Sequence, residues 1–153
     1  MQGVKGNFPH VRNFPEYIAN LTNMSKIISD KYKLNLKNSF ENKAHEFSLS
    51  IIKLTDNFPK KKASWIIADQ ILRSSTSVGA NVAEAKSASS RRDFIKYYEI
   101  SLKSANETLY WLKLIKDADL ASSHEVERLI MNCQELCRIV AANIITLKGK
   151  RKY

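Results

Sequence analysis

Apolar side chains recur at alternating steps of three and four residues along four stretches of the chain that follow residue 39. An average spacing of 3.5 residues places them on one face of a helix that packs beside other helices. Ser39 is a suitable N-cap for the first helix. Asn57 and Pro59 end it, because the residue before a proline avoids the α conformation. The first stripe consists of Phe40, Ala44, Phe47, Ile51, Leu54 and Phe58.

The second stripe follows a basic link, residues 60–62, and its middle is built from small residues. Residues 74–80 include Gly79, and small side chains there shorten the distance to a neighbouring helix, which offsets the poor helix propensity of glycine. A serine-rich link, residues 87–90, comes next, and Ser89 or Ser90 can cap the following helix. The second stripe consists of Ala68, Ile71, Ser75, Val78, Val82 and Ala85.

The third and fourth stripes have the same period. The third helix is predicted to end within residues 117–120, and Ser123 is predicted to cap a fourth helix with Glu125 and Glu127 in its first turn. Gly149 is predicted to stop that helix. The third stripe consists of Phe94, Tyr98, Leu102, Ala105, Leu109, Leu112 and Ile115. The fourth consists of Val126, Leu129, Cys133, Leu136, Val140, Ile144 and Leu147.

These stripes predict an all-α protein. Helices of about 20 to 28 residues with short links must run antiparallel to their neighbours, which gives an up-down-up-down four-helix bundle crossing near ~20°. We expect the bundle at residues 38–148, an N-terminal extension at 1–37 that is poorly ordered or a short helix, and a basic tail at 149–153. Truncating Leu102 or Leu109 to Ala is expected to cost about 2–5 kcal/mol.

Composition adds a strong positive charge. The chain of 153 residues has a net charge of +10 and a pI near 9.6, a balance that favours polyanionic partners. No apolar run approaches the roughly 18 residues that span a membrane, and the N-terminus lacks a signal-peptide pattern. We therefore expect a cytoplasmic protein without a membrane partner.

Candidate catalytic groups are few. Cys133 and Cys137 lie one helical turn apart, but a zinc site needs two more ligands, and His10, His45 and His124 do not pair up with them. Core thiols are the preferred interpretation. No glycine-rich phosphate loop is present. We expect no metal, no cofactor and no enzymatic activity.

Two further stripes favour contacts outside a single apolar core. A polar stripe on the second helix is either a solvated face or a partly buried network against another helix or subunit, with Glu107 as a candidate member. Its members are Gln70, Arg73, Ser77, Asn81 and Glu84. A second stripe on the third helix is either part of a wide core-facing surface or, as we prefer, a face for self-association. It contains Tyr97, Ile100, Trp111 and Leu114 as its large apolar members, with Ser104 and Glu107 between them.

Positive charge is expected to gather at one end of the bundle. In the predicted topology, the link between helices two and three lies beside the C-terminus of helix four. The cationic residues of this basic end are Lys86, Arg91, Arg92, Lys96, Lys148, Lys150, Arg151 and Lys152. The opposite end has residues 60–62, which nearby acids offset. Such a run is either a solvated surface or, because it is clustered, a binding surface for RNA or DNA.

Three segments resemble a known family of bacterial four-helix-bundle proteins. They are residues 72–85 (LRSSTSVGANVAEA), 90–95 (SRRDFI) and 107–112 (ETLYWL). The family includes proteins encoded in intervening sequences of large-subunit ribosomal RNA genes and the accessory variability protein of diversity-generating retroelements. The similarity covers about residues 40–148, and the N-terminal extension departs from the family pattern.

The resemblance implies a homopentamer of four-helix protomers with a basic surface. For the retroelement members it also implies binding to a reverse transcriptase and to nucleic acid. Our first functional prediction is therefore a non-enzymatic oligomeric adaptor that binds nucleic acid through its basic end. The alternative is a purely structural, self-assembling bundle whose charge serves solubility.

Overall fold

The computed structural model describes residues 19, 22–24, 26–27 and 39–149, and all regular structure in these residues is helical. The chain divides into two units, Met1–Lys37 and Asn38–Tyr153. In the first unit, the described residues are helical. The second unit contains four long helices: α1 (Phe40–Asp56), α2 (Lys62–Ala85), α3 (Arg91–Asp117) and α4 (Ser123–Gly149).

The ends of α1 and α3 are fixed by local hydrogen bonds, as predicted. Ser39 Oγ accepts from the Asn42 N–H, and Ser90 Oγ accepts from the Asp93 N–H at 3.1 Å. Helix α1 has 17 residues, fewer than expected, and ends at Asp56 with Asn57 as its C-cap residue. Helix α3 ends at Asp117, and Asp119 follows it in the left-handed conformation with a φ of 53°, which Asp tolerates better than most residues.

The start of α4 differs from the prediction by one residue. Ser123 is already helical, and the N–H of Val126 donates to the carbonyl of Ser122. Ser122 therefore occupies the N-cap position that was predicted for Ser123. Gly149, which was predicted to stop this helix, is its last residue. Residues 150–153 lie outside the described part of the chain.

The four helices pack as a bundle in which each contacts two others, in the cyclic order α1, α2, α3, α4. The larger of two core clusters brings together apolar side chains from all four helices. Its fully buried members include Ile51, Leu54, Ile71, Leu112 and Leu129. The predicted stripes of α1, α2 and α4 supply most of the buried residues.

The α2–α3 contact is lined by small and hydroxylated side chains. Ser101 Oγ donates to the Val78 carbonyl at 2.8 Å, and Thr108 Oγ1 lies 3.0 Å from Ser74 Oγ. A second, smaller core cluster consists of Ala44, Val78 and Ala105. A Cβ added at Gly79 would lie 3.3 Å from the Ala44 Cβ, so the missing side chain allows α1 and α2 to approach closely.

The third apolar stripe was partly wrong. The buried residues of α3 are Ser101, Ser104, Ala105, Thr108, Leu112 and Ile115. Leu102 and Leu109, which were predicted to be core residues, are only half-buried. Small hydroxylated residues occupy the buried positions because the facing surface of α2 is itself made of small residues that bring the two helices close together.

Candidate nucleic-acid interface

An open groove lies at the start of α3, beside the end of α4. Its volume is about 1210 Å³, and its lining comes from the α2–α3 link, the first turns of α3 and the last turn of α4. Four of the predicted basic residues line it, together with two carboxylates. These are Arg91, Arg92, Lys96 and Lys148, with Asp93 and Glu99. The structure therefore brings four of the five described members of the basic end into one groove, and Lys86 does not line it.

Three of the cations at this end already hold protein partners. Lys148 Nζ lies 2.6 Å from Glu99 Oε1, and Lys86 Nζ lies 2.8 Å from the Glu41 carboxylate. Arg91 donates through Nη2 to the Leu147 carbonyl, which ties the start of α3 to the end of α4. The hydrogen bond from Lys148 and its charge lower the pKa of Glu99.

Arg92 and Lys96 differ from those three. Both are exposed, and within residues 39–149 neither forms an ion pair or a hydrogen bond through its side chain. They lie four residues apart, so they share one face of α3. Lys150, Arg151 and Lys152, the other predicted members, lie outside the described residues.

The polar stripe forms a hydrogen-bonded network between α2 and α3. Arg73 Nη2 donates to Gln70 Oε1 at 2.8 Å and lies 3.4 Å from Glu107 Oε1. Farther along α2, Asn81 Nδ2 donates to the Ser77 carbonyl at 2.8 Å and lies 2.9 Å from Ser77 Oγ. This second group of contacts reaches α3 through Ser77 Oγ, which lies 3.0 Å from the hydroxyl of Ser104. Glu84 is exposed and has no such partner among the described residues.

The large residues of the second α3 stripe are all half-buried. These are Tyr97, Ile100, Trp111 and Leu114. Trp111 packs against the larger core cluster, and its Nε1 donates to Glu107 Oε1 at 3.4 Å. The core-facing interpretation therefore describes Trp111, while the self-association of this face stays a prediction.

The two thiols occupy different environments. Cys133 is buried, and its Sγ lies 3.2 Å from the Ala105 carbonyl. A hydrogen bond to Cys137 and its own burial raise the pKa of Cys133. Cys137 is half-buried, with Sγ 3.7 Å from Asn106 Oδ1. The hydrogen bond from Cys133 lowers the pKa of Cys137 to about 7.

This difference predicts selective alkylation. At pH 7 a larger fraction of Cys137 should be thiolate than the about 3% of an ordinary cysteine, so iodoacetamide should label Cys137 rapidly and Cys133 hardly at all. Peptide mass spectrometry after a timed reaction measures both. Cys133→Ala should slow labelling several-fold at pH 7 by removing the hydrogen bond. Equal labelling of the two thiols in folded protein would contradict the prediction.

Sequence reasoning missed the acidic partners of the basic end. Glu41 and Glu99 neutralise two of its lysines, and each comes from a different helix than its partner. The signal was available, since Glu41 is in the first turn of α1 and the predicted topology places that turn beside Lys86.

Among the described residues, no group of three His, Cys, Asp or Glu side chains gathers as a metal site, and none of their helices is long and apolar enough to cross a membrane.

The helical bundle and the groove at the start of α3 together define the class of protein, which is an all-α helical bundle with a basic groove at one end. The chain belongs to the 23S rRNA-intervening sequence protein family, whose model matches residues 37–142. This confirms the predicted resemblance to the intervening-sequence proteins. No curated protein matches the chain.

A solved structure agrees with this assignment. The chain is similar to a protein of unknown function from the S23 ribosomal protein family of Bacteroides thetaiotaomicron VPI-5482, determined by crystallography at 1.70 Å resolution. The two are 35% identical, the match covers 69% of this chain and 98% of that chain, and the TM-score is 0.65.

Proposed function

We propose that the protein is a non-enzymatic, oligomeric adaptor that binds RNA or DNA through the groove at the start of α3. The observation that carries the proposal is the pair Arg92 and Lys96, both exposed and without a protein partner in the described chain. Arg91 and Lys148 border the same groove. The positive end of the α3 dipole lies here too, which favours phosphate further.

The groove suits an extended polyanion better than a small molecule. Its volume of about 1210 Å³ exceeds the range of about 300–1,000 Å³ that is usual for small-ligand sites. The arrangement offers charge without a set of convergent side chains that could recognise one base. We therefore expect contacts to the phosphate backbone and little sequence preference.

The test is the salt dependence of binding to a labelled 20-nucleotide RNA and to a DNA duplex, measured by fluorescence anisotropy. We expect micromolar binding or tighter at low salt. Replacing both Arg92 and Lys96 with Gln should weaken binding and reduce the slope of log K against log salt by about one per residue. Helical content should not change, because both side chains are exposed.

A matched control removes the same charge elsewhere. Lys60→Gln with Lys61→Gln alters two exposed lysines at the α1–α2 link, where Asp56 and Asp69 line the same pocket as Lys60. This variant should bind almost as wild type does. Absence of binding at low salt, or an equal loss in both variants, would contradict the basic-groove proposal.

The geometry of the groove depends on helix direction, and we infer that the bundle runs up-down-up-down. Contacts between opposite ends of neighbouring helices support this topology. Glu41 near the start of α1 pairs with Lys86 after the end of α2. Glu99 in α3 pairs with Lys148 at the end of α4, and Lys116 pairs with Glu127 at the other end of the same helices.

We further propose that protomers assemble, with five copies as the expected number, and that a reverse transcriptase is a partner. Both expectations rest on the resemblance to the retroelement accessory protein. The half-buried apolar face of α3 supports assembly. Co-purification with the product of a neighbouring reverse-transcriptase gene is the direct test of the second partner.

A purely structural role is the second candidate function. The ion pairs of Lys86 with Glu41 and of Lys148 with Glu99 favour it, because they neutralise part of the basic end within the protein. If the salt-dependence experiment fails, this candidate takes the place of the adaptor. Its expected properties are self-assembly without nucleic-acid binding.

A further inference from the structure

Ser64 stands apart from the other buried hydroxyls of the bundle. It is only 2% exposed, and its Oγ is the one buried side-chain oxygen or nitrogen among the described residues that has no hydrogen-bond partner. The buried hydroxyls of Ser74, Ser101 and Thr108 are all bonded. Buried polar groups nearly always form hydrogen bonds, so the Ser64 hydroxyl is an exception that needs an explanation.

Ser64 lines a pocket between the end of α1 and the first turns of α2. Ser64 is the third residue of α2, and a helical Cβ tilts toward the N-terminus, so its side chain faces the α1–α2 link. The pocket has a volume of about 390 Å³, within the usual size range of small-molecule sites. Apolar walls come from Phe58, Pro59, Ala68 and Leu72.

The other groups that line the pocket favour a ligand with a positive charge. Asp56 and Asp69 are exposed, and neither carboxylate has an ion pair or hydrogen bond in the described part of the protein. Lys60 is the one cation of the lining. Trp65 is 69% exposed at the rim, which leaves its indole face available to a cation.

We propose that this pocket binds a small ligand with an apolar body and a protonated primary amine. An ammonium group has three donors and no acceptor. The two carboxylates and the Ser64 hydroxyl provide three acceptor groups, and the indole face of Trp65 stabilises the same charge. The apolar walls hold the body of the ligand.

An anion is the competing ligand, because the start of α2 has no side-chain cap. Lys61 is the N-cap residue and forms no capping hydrogen bond, and free N-terminal amides attract anions. The two unpaired carboxylates of the lining repel an anion, which is why we favour the amine. The experiment must separate ligand charge from ligand shape.

Three probes share a phenyl ring and differ in charge: phenethylammonium, 2-phenylethanol and 3-phenylpropanoate. The measurement is the ¹H–¹⁵N spectrum of the full chain, in which the two tryptophans give two indole signals that Trp65→Phe assigns. Phenethylammonium should shift the Trp65 signal with saturation in the millimolar range or below, and the Trp111 signal should stay in place. The alcohol should bind at least about tenfold more weakly, and the carboxylate more weakly still.

Variants test the named contacts. Asp69→Asn should weaken phenethylammonium binding about fivefold or more, whereas Asp117→Asn, which removes an acid at the end of α3 outside the pocket, should not. Ser64→Ala should weaken binding several-fold while the thermal midpoint stays unchanged or rises, because the variant removes an unsatisfied hydroxyl. That opposite effect on binding and stability is not expected of a residue that only supports the fold.

Several results would overturn the proposal. No shift of the Trp65 signal at 10 mM of any probe, a concentration chosen to be about tenfold above the expected Kd, would mean that the pocket is not a ligand site. Equal binding of the alcohol would mean that charge is not recognised. Tightest binding by the carboxylate would assign the site to an anion at the start of α2. Stronger binding of Nα-acetyl-lysine amide than of phenethylammonium would point to a lysine of a protein partner.

Discussion

Replacing Leu112 with Ala is expected to lower the free energy of unfolding by about 2–5 kcal/mol. Leu112 is 0% exposed and belongs to the larger core cluster, where it meets side chains such as Ile51 and Leu129. The substitution removes one methine and two methyl carbons, which loses their transfer free energy and leaves a cavity that the close-packed core fills only partly. Urea denaturation followed by circular dichroism measures the change.

Leu102→Ala is the matched control, since it makes the same chemical change on the same helix. Leu102 is only half-buried, so part of its side chain already contacts solvent, and we expect a cost below half of that at Leu112. Leu109 should fall between the two, because it is half-buried but packs against the core. Equal losses of unfolding free energy at Leu102 and Leu112 would mean that Leu102 is a core residue, as the apolar stripe of α3 predicted.

Helix boundaries were predictable where local chemistry decides them. Ser39 and Ser90 cap their helices by bonding a backbone N–H three residues later, and that preference depends on neighbouring residues alone. The one-residue error at the start of α4 has the same origin. Ser122 and Ser123 are adjacent serines, and either one is a suitable N-cap.

The buried face of α3 was harder to predict, because periodicity measures apolarity and takes no account of size. Leu102 fits the heptad, yet the neighbouring Ser101 and Ser104 are buried. Their burial depends on α2, whose small residues let the two helices approach until only a hydroxyl fits between them. Ser101 then donates to the Val78 carbonyl, which satisfies its polar atom. No pattern within α3 alone reports this.

The candidate groove was predictable as a cluster of charge, because the short links fix which helix ends lie together. The pairing within it was not, since it depends on side chains from different helices meeting within a few ångströms. Lys148 with Glu99 is one such meeting. Ser64 is a further case, as a lone serine near a helix start carries no signal of its burial.

Light scattering should give a particle mass of about five times the protomer mass of 17.5 kDa, and substitution on one face of α3 should reduce it to the protomer value. The change is Tyr97→Gln with Ile100→Gln. Both side chains are half-buried in the isolated protomer and lie three residues apart on one helix face. Introducing amides into an apolar contact leaves polar groups without hydrogen-bond partners, which disfavours association.

The control tests whether exposure alone determines the interface. Met131 and Ile145 of α4 are 60% and 72% exposed, more than the residues on the α3 face, so Met131→Gln with Ile145→Gln removes more exposed apolar surface. If the α3 face mediates assembly, this variant keeps the wild-type mass, and both variants keep their helical content. A mass of one protomer for the wild-type protein at micromolar concentration would contradict the proposed assembly. Dissociation of the α4 variant alone would move the interface to α4, where two large apolar side chains would then be covered by the neighbouring copy.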